Sequence, residues 1–163
     1  MAFICTGAYI DIAEKTELLA VPVCNGKPYY QSYIITNTAS NVYSFEDFRG
    51  KTFVFTDPMS FTGKAYAEIG KKETVADEVD FFSTTCFSGS HDISIQLVAK
   101  NIIDGASIDG LIFDYMKKND AEKVANVRII EKSANFGIPP VVVSKSVTPE
   151  LKAKLQYILI QYA

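Results

Sequence analysis

Residues 51–70, KTFVFTDPMSFTGKAYAEIG, carry the signature of a strand that passes through a tight turn into a helix. Residues 52–56 are β-branched or aromatic, which favours a strand, and the Asp-Pro pair that follows ends it. The serine, threonine and glycine within 60–63 are typical of a turn at which a helix begins. A chain built from such units forms a sheet flanked by helices, the α/β class.

The start of this predicted helix is suited to an anion. The first backbone N–H groups of a helix have no partner within it, and the helix dipole places partial positive charge there. Together with nearby hydroxyl groups, these donors favour a phosphate-like or carboxylate-like group. A simpler interpretation is that Ser60 or Thr62 only caps the helix, a role worth about 1 kcal/mol. For one turn taken alone, capping is the commoner role.

The pattern of strand, turn and helix occurs twice more along the chain. Residues 81–87 predict a strand and 91–100 a helix, and we expect Ser90, in the turn between them, to cap that helix. Residues 102–108 and 109–118 predict a third strand and a third helix. The alternation predicts an α/β domain with a mixed, mostly parallel sheet.

Three further segments carry definite expectations. An Asn-Gly turn separates strand candidates at 18–23 and 30–36, so we expect a hairpin-like return between them. Residues 71–79 are rich in charge and are expected to be irregular and exposed. In the closing helix, the apolar stripe from Leu151 to Tyr162 is expected to pack into the core.

The composition narrows the class of protein. The chain has 163 residues, of which 48% are apolar, which suits one globular domain with a real core. The net charge is -3 and the lysines are scattered, so the sequence lacks the basic stripe that nucleic-acid binding needs. No apolar run is as long as a membrane span, and residues 1–7 lack the charged start and apolar core of a signal peptide.

The reactive side chains do not form a metal or cofactor motif. The three cysteines, Cys5, Cys24 and Cys86, have no C-x-x-C spacing, and one histidine cannot complete a zinc site with them. We expect these cysteines to be free, small core residues. The sequence also lacks the glycine-rich nucleotide loops, the serine-hydrolase motif and the zinc-peptidase motif. We therefore expect neither a metal nor a cofactor.

Both hydroxyl-and-glycine turns follow strands, and ligands of open α/β sheets collect beyond the carboxyl ends of strands. If the turns at 57–63 and 88–91 open on the same edge, they face one cleft together with His91. His91 is either a surface or capping histidine, or a neutral imidazole that the helix start favours and that donates to an anion. An enzyme with Cys86 as nucleophile beside His91 is a third interpretation.

The order of these motifs resembles the substrate-binding proteins of phosphate, phosphite and phosphonate ABC importers, a branch of the type 2 periplasmic binding proteins. The segments that carry the resemblance are, in chain order, GAYI, PYYQSYII, SFEDFRGKTFVFTDPMSFTGK, FSGSHDISIQLV, IIDGASID and RIIEKSANFGIPPVVVSKSVTPELKAKL. The resemblance implies a type 2 periplasmic-binding-protein-like lobe. It also implies binding of a small oxyanion without catalysis, as the solute-binding component of an ABC importer or as a related sensor.

The resemblance also implies which residues contact the ligand. In the family, the first turn reads aspartate, proline, any residue, serine, threonine, serine, glycine, and its hydroxyl and N–H groups hold the phosphorus oxyanion. The positions that match the family's ligand residues are Tyr30, Ser60, Phe61, Thr62, Gly63 and His91. We add Ser90 as a ligand residue because its hydroxyl lies in the second turn. Phe61 replaces the family's threonine, and we expect the lost hydroxyl to weaken anion binding about tenfold or more. The alternative is therefore a degenerate or regulatory domain of the same fold that has lost its ligand.

By the same resemblance, residues 1–29 are the tail of a first lobe with a hinge strand, and 30–133 are the second lobe. Residues 134–163 are then the return hinge strand and a first-lobe helix. Such a chain is a fragment of a two-lobed protein, and its uncovered apolar surface is expected to favour self-association. The resemblance implies a periplasmic or other extracytoplasmic location, with an ABC permease or a signalling protein as partner.

Overall fold

A computed structural model describes residues 1–75 and 81–161. The chain divides into two compact units. One unit combines Met1–Tyr30 with the chain from Phe136 onward, and the other is Gln31–Asn135. The lobe assignments drawn from the family resemblance remain predictions.

The described residues form ten strands, five α-helices, one π-helical turn and two short 3-10 helices. The strands are β1 (Ala2–Phe3), β2 (Thr16–Ala20), β3 (Tyr29–Tyr30), β4 (Ser32–Asn37), β5 (Thr52–Phe55), β6 (Thr84–Phe87), β7 (Gly105–Asp109), β8 (Val127–Lys132), β9 (Phe136–Gly137) and β10 (Val141–Ser144). The α-helices are α1 (Thr6–Ile12), α2 (Tyr66–Val75), α3 (His91–Ala99), α4 (Gly110–Asn119) and α5 (Pro149–Gln161). The π-helical turn is Phe61–Ala65, and the 3-10 helices are Glu46–Phe48 and Ala121–Val124.

The Gln31–Asn135 unit is built on one five-stranded sheet in the order β6-β5-β7-β4-β8. Strand β5 is parallel to both β6 and β7, whereas β4 is antiparallel to both β7 and β8. Four of the five strands therefore run in one direction, and β4 alone runs in the other. The predicted α/β class with a mixed, mostly parallel sheet is confirmed.

Each face of this sheet carries its own apolar core, because alternate residues of a strand point to opposite faces. The first core includes side chains of α3 and α4, and its buried members are Tyr33, Ile35, Val54, Ile95, Val98, Ala106, Ile108, Phe113, Met116 and Val124. The second is rich in phenylalanine, and its buried members are Ile34, Val42, Phe45, Phe48, Phe53, Phe55, Ala67 and Phe81. A side chain at Gly105 would overlap the ring of Phe48, so β7 needs glycine there to admit that ring. Helices and loops thus cover both faces of the sheet.

The other unit contains a three-stranded antiparallel sheet in the order β1-β10-β2 and a separate antiparallel pair, β3 with β9. Helix α5 packs on β2, where Gln156 Nε2 donates to the carbonyl of Leu19 and Lys152 forms an ion pair with Glu17. In the described ranges, no helix is both long enough and apolar enough to cross a membrane.

The expected hairpin between 18–23 and 30–36 is wrong. Strand β2 ends at Ala20, before Pro22, and pairs with β10, whereas β4 pairs with β7 and β8. The Asn-Gly turn does form, but it closes only an isolated bridge between Cys24 and Lys27. Proline cannot donate to a ladder, so the strand stops short of it and cannot return as a hairpin.

Two other expectations need correction. Residues 71–75 are helical as the end of α2, not irregular, while 76–79 lie outside the described residues. Helix α5 begins at Pro149 as predicted, but none of its described residues is buried, and Tyr157 and Ile160 are 65% and 60% exposed. Its apolar stripe is therefore not a core stripe, and Tyr162 lies outside the described residues.

Candidate functional site

Three strand-to-helix connections meet at one edge of the five-stranded sheet. Strands β6, β5 and β7 are parallel neighbours, so their carboxyl ends lie together. The segments that leave these ends are the turn at 56–63, the turn at 88–91 and the start of α4 at 109–111. The expectation that both hydroxyl-rich turns open on the same edge is confirmed.

Ser60 caps the helix that starts in the first turn. Its Oγ accepts the N–H of Gly63 at 2.9 Å, which confirms the predicted capping role. Because Ser60 only accepts in that bond, its hydroxyl hydrogen can still be donated to another group. The N–H of Gly63, by contrast, is already donated to Ser60.

The first turn after Ser60 is π-helical, a widened geometry that often marks functional sites. The N–H groups of Lys64 and Ala65 both donate to the carbonyl of Ser60 at 3.1 Å. Thr62 lies inside this turn and is only 1% exposed, and its hydroxyl makes no hydrogen bond with any residue that the structure describes. Phe61, the first residue of the turn, is half-buried.

Gly63 contributes through its missing side chain. A Cβ at this position would lie 2.5 Å from Thr56 Cβ and 2.8 Å from Ser60 Oγ, both closer than real Cβ contacts allow. The glycine therefore lets the turn pack directly on the end of β5.

His91 is the first residue of α3, and contacts with Asp109 and Thr56 fix the orientation of its ring. Its Nδ1 accepts the backbone N–H of Asp109 at 3.0 Å and lies 3.1 Å from Thr56 Oγ1. A backbone N–H can only donate, so Nδ1 carries no hydrogen and the neutral ring holds its proton on Nε2. Within the described residues, Nε2 has no hydrogen-bond partner.

The imidazole of His91 is held neutral mainly by burial. Burial lowers its pKa to about 4, against the opposing charges of Asp92 and Asp57, which raise it. The predicted lowering is confirmed in direction, but its main cause is burial, since desolvation disfavours the charged ring.

Thr56 joins the parts of the site, and sequence reasoning missed it. Its N–H donates to the carbonyl of Gly63 at 3.1 Å, and its carbonyl accepts the N–H of Gly89 at 2.8 Å. Its Oγ1 contacts His91, as described above. The sequence does contain a signal for Thr56: it is a threonine at the end of a mostly apolar strand. Ligands of α/β sheets bind beyond the carboxyl ends of the strands, so a hydroxyl at this position is a candidate site residue.

Asp109 brings a buried carboxyl group to the same edge. Its Oδ1 caps α4 by accepting the N–H of Leu111 at 2.7 Å. Burial raises the pKa of this carboxyl to about 6, while hydrogen bonds from the N–H groups of Leu111 and Ile112 lower it and the nearby charge of Asp114 raises it further. The sequence alone did not give this acid a place in the site.

Ser90 differs from its expected role. Its hydroxyl donates to Asp92 Oδ1 at 2.5 Å and makes no cap bond to α3. Ser88 makes the side-chain contacts in this turn instead. Its Oγ donates to the carbonyl of Ser90 at 2.8 Å and contacts Ser94 Oγ at 2.7 Å. The capping prediction for Ser90 is therefore wrong.

Tyr30 belongs to the other unit, so the structure does not place it among the residues above. It is buried on β3, and its hydroxyl donates to Thr6 Oγ1 at 3.1 Å. Its assignment to a ligand site stays a prediction.

Cys86 does not form a nucleophile pair with His91. It is a free, exposed cysteine on β6, so the expectation of a core position is wrong for it. On His91, Nδ1 already accepts a backbone N–H and Nε2 carries the proton, so the ring has no lone pair ready to act as a base. Among the described residues, no group of three or more histidine, cysteine or acidic side chains could hold a metal ion.

Comparison with known proteins gives a family match along the whole chain. Residues 1–163 match a family model described as ABC transporter, phosphonate, periplasmic substrate-binding protein. A solved structure of a binding-protein component of an ABC phosphonate transporter from Pseudomonas aeruginosa is 27% identical, with a TM-score of 0.81. That match covers 96% of this chain and 54% of the other.

Two further solved structures share the fold at 17% identity. PhnD1 from Prochlorococcus marinus, solved in complex with methylphosphonate, has a TM-score of 0.76 and matches over 88% of this chain and 56% of its own. XAC2383 from Xanthomonas citri, solved with ATP, has a TM-score of 0.80 and matches over 96% of this chain and 62% of its own. The chain thus spans between half and two thirds of the length of these proteins.

Proposed function

Because the chain belongs to the family of periplasmic substrate-binding proteins of phosphonate ABC transporters, we propose that it binds a small phosphorus oxyanion. The ligand is phosphate, phosphite or a phosphonate. The turn of Ser60, Phe61, Thr62 and Gly63, together with His91, contacts it. The family consists of substrate-binding transport proteins, not of enzymes, and this chain binds its ligand without changing it.

One observation carries the proposal: two side chains at this edge each accept a hydrogen bond from within the protein and keep a hydrogen that the described residues do not use. Ser60 Oγ accepts a backbone N–H, and so does His91 Nδ1. Each group can therefore present a hydrogen to a ligand. The oxygens of a fully ionised phosphorus oxyanion can only accept hydrogen bonds, so they match such a set of donors.

The hydroxyl of Thr62 supports the same site. It makes no hydrogen bond with the described residues, so its hydrogen is available for a ligand oxygen. The hydroxyl lies in the first turn of a helix of fifteen residues, the π-helical turn and α2 together, whose amino end favours negative charge.

Titration calorimetry on this chain with phosphate, phosphite, methylphosphonate and sulfate tests the proposal. We expect a phosphorus oxyanion to release heat on binding. No heat and no thermal shift with any of the four at millimolar concentration would refute it.

The variant His91→Asn tests the location of the site. Asparagine Oδ1 can replace Nδ1 as acceptor for Asp109, but asparagine has no donor that reaches as far as Nε2. We expect the affinity to fall about tenfold or more, the usual worth of a hydrogen bond to a charged acceptor. Ser146→Ala, which removes an exposed hydroxyl in the other unit, is the control and should bind as the parent does. Equal affinity of His91→Asn and the parent would place the ligand elsewhere.

The partners and the location follow from the family. Its members bind a small ligand and work with an ABC permease outside the cytoplasm, and we propose the same importer role, or a related sensor role, for this chain. The alternative is a degenerate or regulatory domain without a ligand, which Phe61 suggests, and tight binding by the unmodified chain would exclude it.

A further inference from the structure

A buried pair of hydroxyl groups lies behind the first turn, outside the residues proposed to touch the ligand. Ser32 on β4 and Ser107 on β7 are both 0% exposed. In the register of these antiparallel strands, Ser32 lies opposite Asp109, two residues beyond Ser107. Both serine side chains therefore point to the same face of the sheet.

Both hydroxyls converge on one carbonyl of the turn. Ser107 Oγ is 2.5 Å and Ser32 Oγ is 2.8 Å from the carbonyl oxygen of Thr62, while the two hydroxyl oxygens are 3.1 Å apart. Each hydroxyl has a single hydrogen, and the two shorter distances lead to the carbonyl. Both hydrogens are therefore donated to Thr62, whose two lone pairs can accept them.

The accepting carbonyl is one end of a peptide group whose other end is the N–H of Gly63. That N–H donates to Ser60 Oγ at 2.9 Å. We propose that Ser32 and Ser107 are positioning residues, which fix and polarise the Thr62–Gly63 peptide group so that Ser60 presents its hydroxyl hydrogen to the ligand. The inference rests on the proposed function for the identity of the ligand only.

We call this series of hydrogen bonds, from the two serines through the Thr62–Gly63 peptide group to Ser60, the relay. It runs from the serines, which donate to the carbonyl, towards Ser60, which accepts the N–H. Two donors at the carbonyl withdraw electron density from the peptide and strengthen its N–H as a donor, since linked hydrogen bonds polarise one another. A stronger N–H in turn makes the hydroxyl of Ser60 a better donor. The relay also accounts for two buried polar side chains on the sheet face that carries the phenylalanine-rich core.

The test compares the double variant Ser32→Ala/Ser107→Ala with Thr36→Val in the full chain. Thr36 is on the same strand, is 0% exposed and donates to the carbonyl of Asp104 at 2.7 Å, so its loss removes a similar buried hydrogen bond away from the turn. We expect the amide proton of Gly63 to move upfield in the NMR spectrum of the double variant and to stay in place in Thr36→Val. An unmoved Gly63 resonance would overturn the inference. The single variants serve if the double variant does not fold.

Affinity for methylphosphonate gives the second readout. We expect the double variant to bind about tenfold more weakly than the parent, and Thr36→Val to bind as the parent does. In a Ser60→Ala background the same double substitution should change the affinity less than twofold, because the relay ends at Ser60. An equal loss with and without Ser60 would overturn the relay. If the unmodified chain binds none of the anions, the proposed function fails, while the Gly63 resonance still decides the relay.

Discussion

The titration of His91 is the sharpest prediction, because the chain has one histidine and its ring gives one set of signals. The perturbation is pH alone. We expect the ring to titrate with a pKa of about 4 instead of 6.5, since burial disfavours the charged form more than Asp92 and Asp57 favour it.

This difference is also a statement about stability. At about 1.4 kcal/mol for each pH unit, a pKa of about 4 in place of 6.5 corresponds to roughly 3 kcal/mol. The folded pKa lies below the unfolded one, so the unfolded chain takes up the proton first as the pH falls. The contribution of His91 to the free energy of unfolding is therefore complete above about pH 6.5 and is lost between pH 6.5 and 4. Asp109, whose folded pKa is raised to about 6, acts with the opposite sign in an overlapping window.

The assay follows the Cε1 proton of His91 by NMR from pH 3.5 to 8 and measures urea unfolding of the parent and His91→Asn over the same range. Both proteins keep Asp109, so its contribution largely cancels in the difference between them. We expect that difference to change by about 3 kcal/mol between pH 6.5 and 4 and to be flat above. A ring that titrates near 6.5, or a flat difference throughout, would refute the buried neutral imidazole and with it the Nε2 donor.

Two substitutions in the first turn give the remaining predictions. Gly63→Ala forces a Cβ against Thr56, so it should weaken anion binding and lower the free energy of unfolding by about 1–3 kcal/mol in the same urea assay. The control is Gly70→Ala on the same helix, where the new Cβ would meet only Phe45, at 3.7 Å or more. We expect this control to keep or raise the free energy of unfolding. A Gly63→Ala protein as stable and as tight-binding as the parent would contradict the close packing. Phe61→Thr adds a hydroxyl at the start of the turn and should raise anion affinity about tenfold, as measured by calorimetry. Unchanged or weaker binding would show that the ring of Phe61 does not lower the affinity.

The parts of the site that depend on near neighbours in sequence were predictable. The capping bond from Gly63 to Ser60 spans three residues, and the sequence pattern that predicts it also fixes its geometry. The common edge of the two turns followed from alternating strands and helices, and the pairing of Phe55 with Phe87 at the ends of β5 and β6 confirms it. Local chemistry and fold class together predicted where the candidate site lies in the fold.

The residues that support the site could not be found in this way. Ser32 and Ser107 are 75 positions apart and meet only because β4 lies beside β7, a pairing that no local pattern specifies. Long-range pairing also contributes to the absence of the hairpin predicted between 18–23 and 30–36, because β4 pairs with β7 and β8, far along the chain. The capping prediction for Ser90 is wrong for a local reason. Its hydroxyl donates to the carboxylate of Asp92, two residues away, and makes no cap bond.

In the proposed site, the groups that set its position differ from those that set the strength of ligand binding. Its position depends on backbone groups and on Thr56 and Gly63, which bind the two turns to the end of β5. These contacts are made before any ligand arrives, so the donors need little further ordering, which favours binding. Under the proposed function, its strength depends on the side chains proposed to contact the ligand, Ser60, Thr62 and His91. Phe61 belongs to the turn that carries Ser60 and Thr62, so we propose that its ring acts on this second property, the affinity for the ligand.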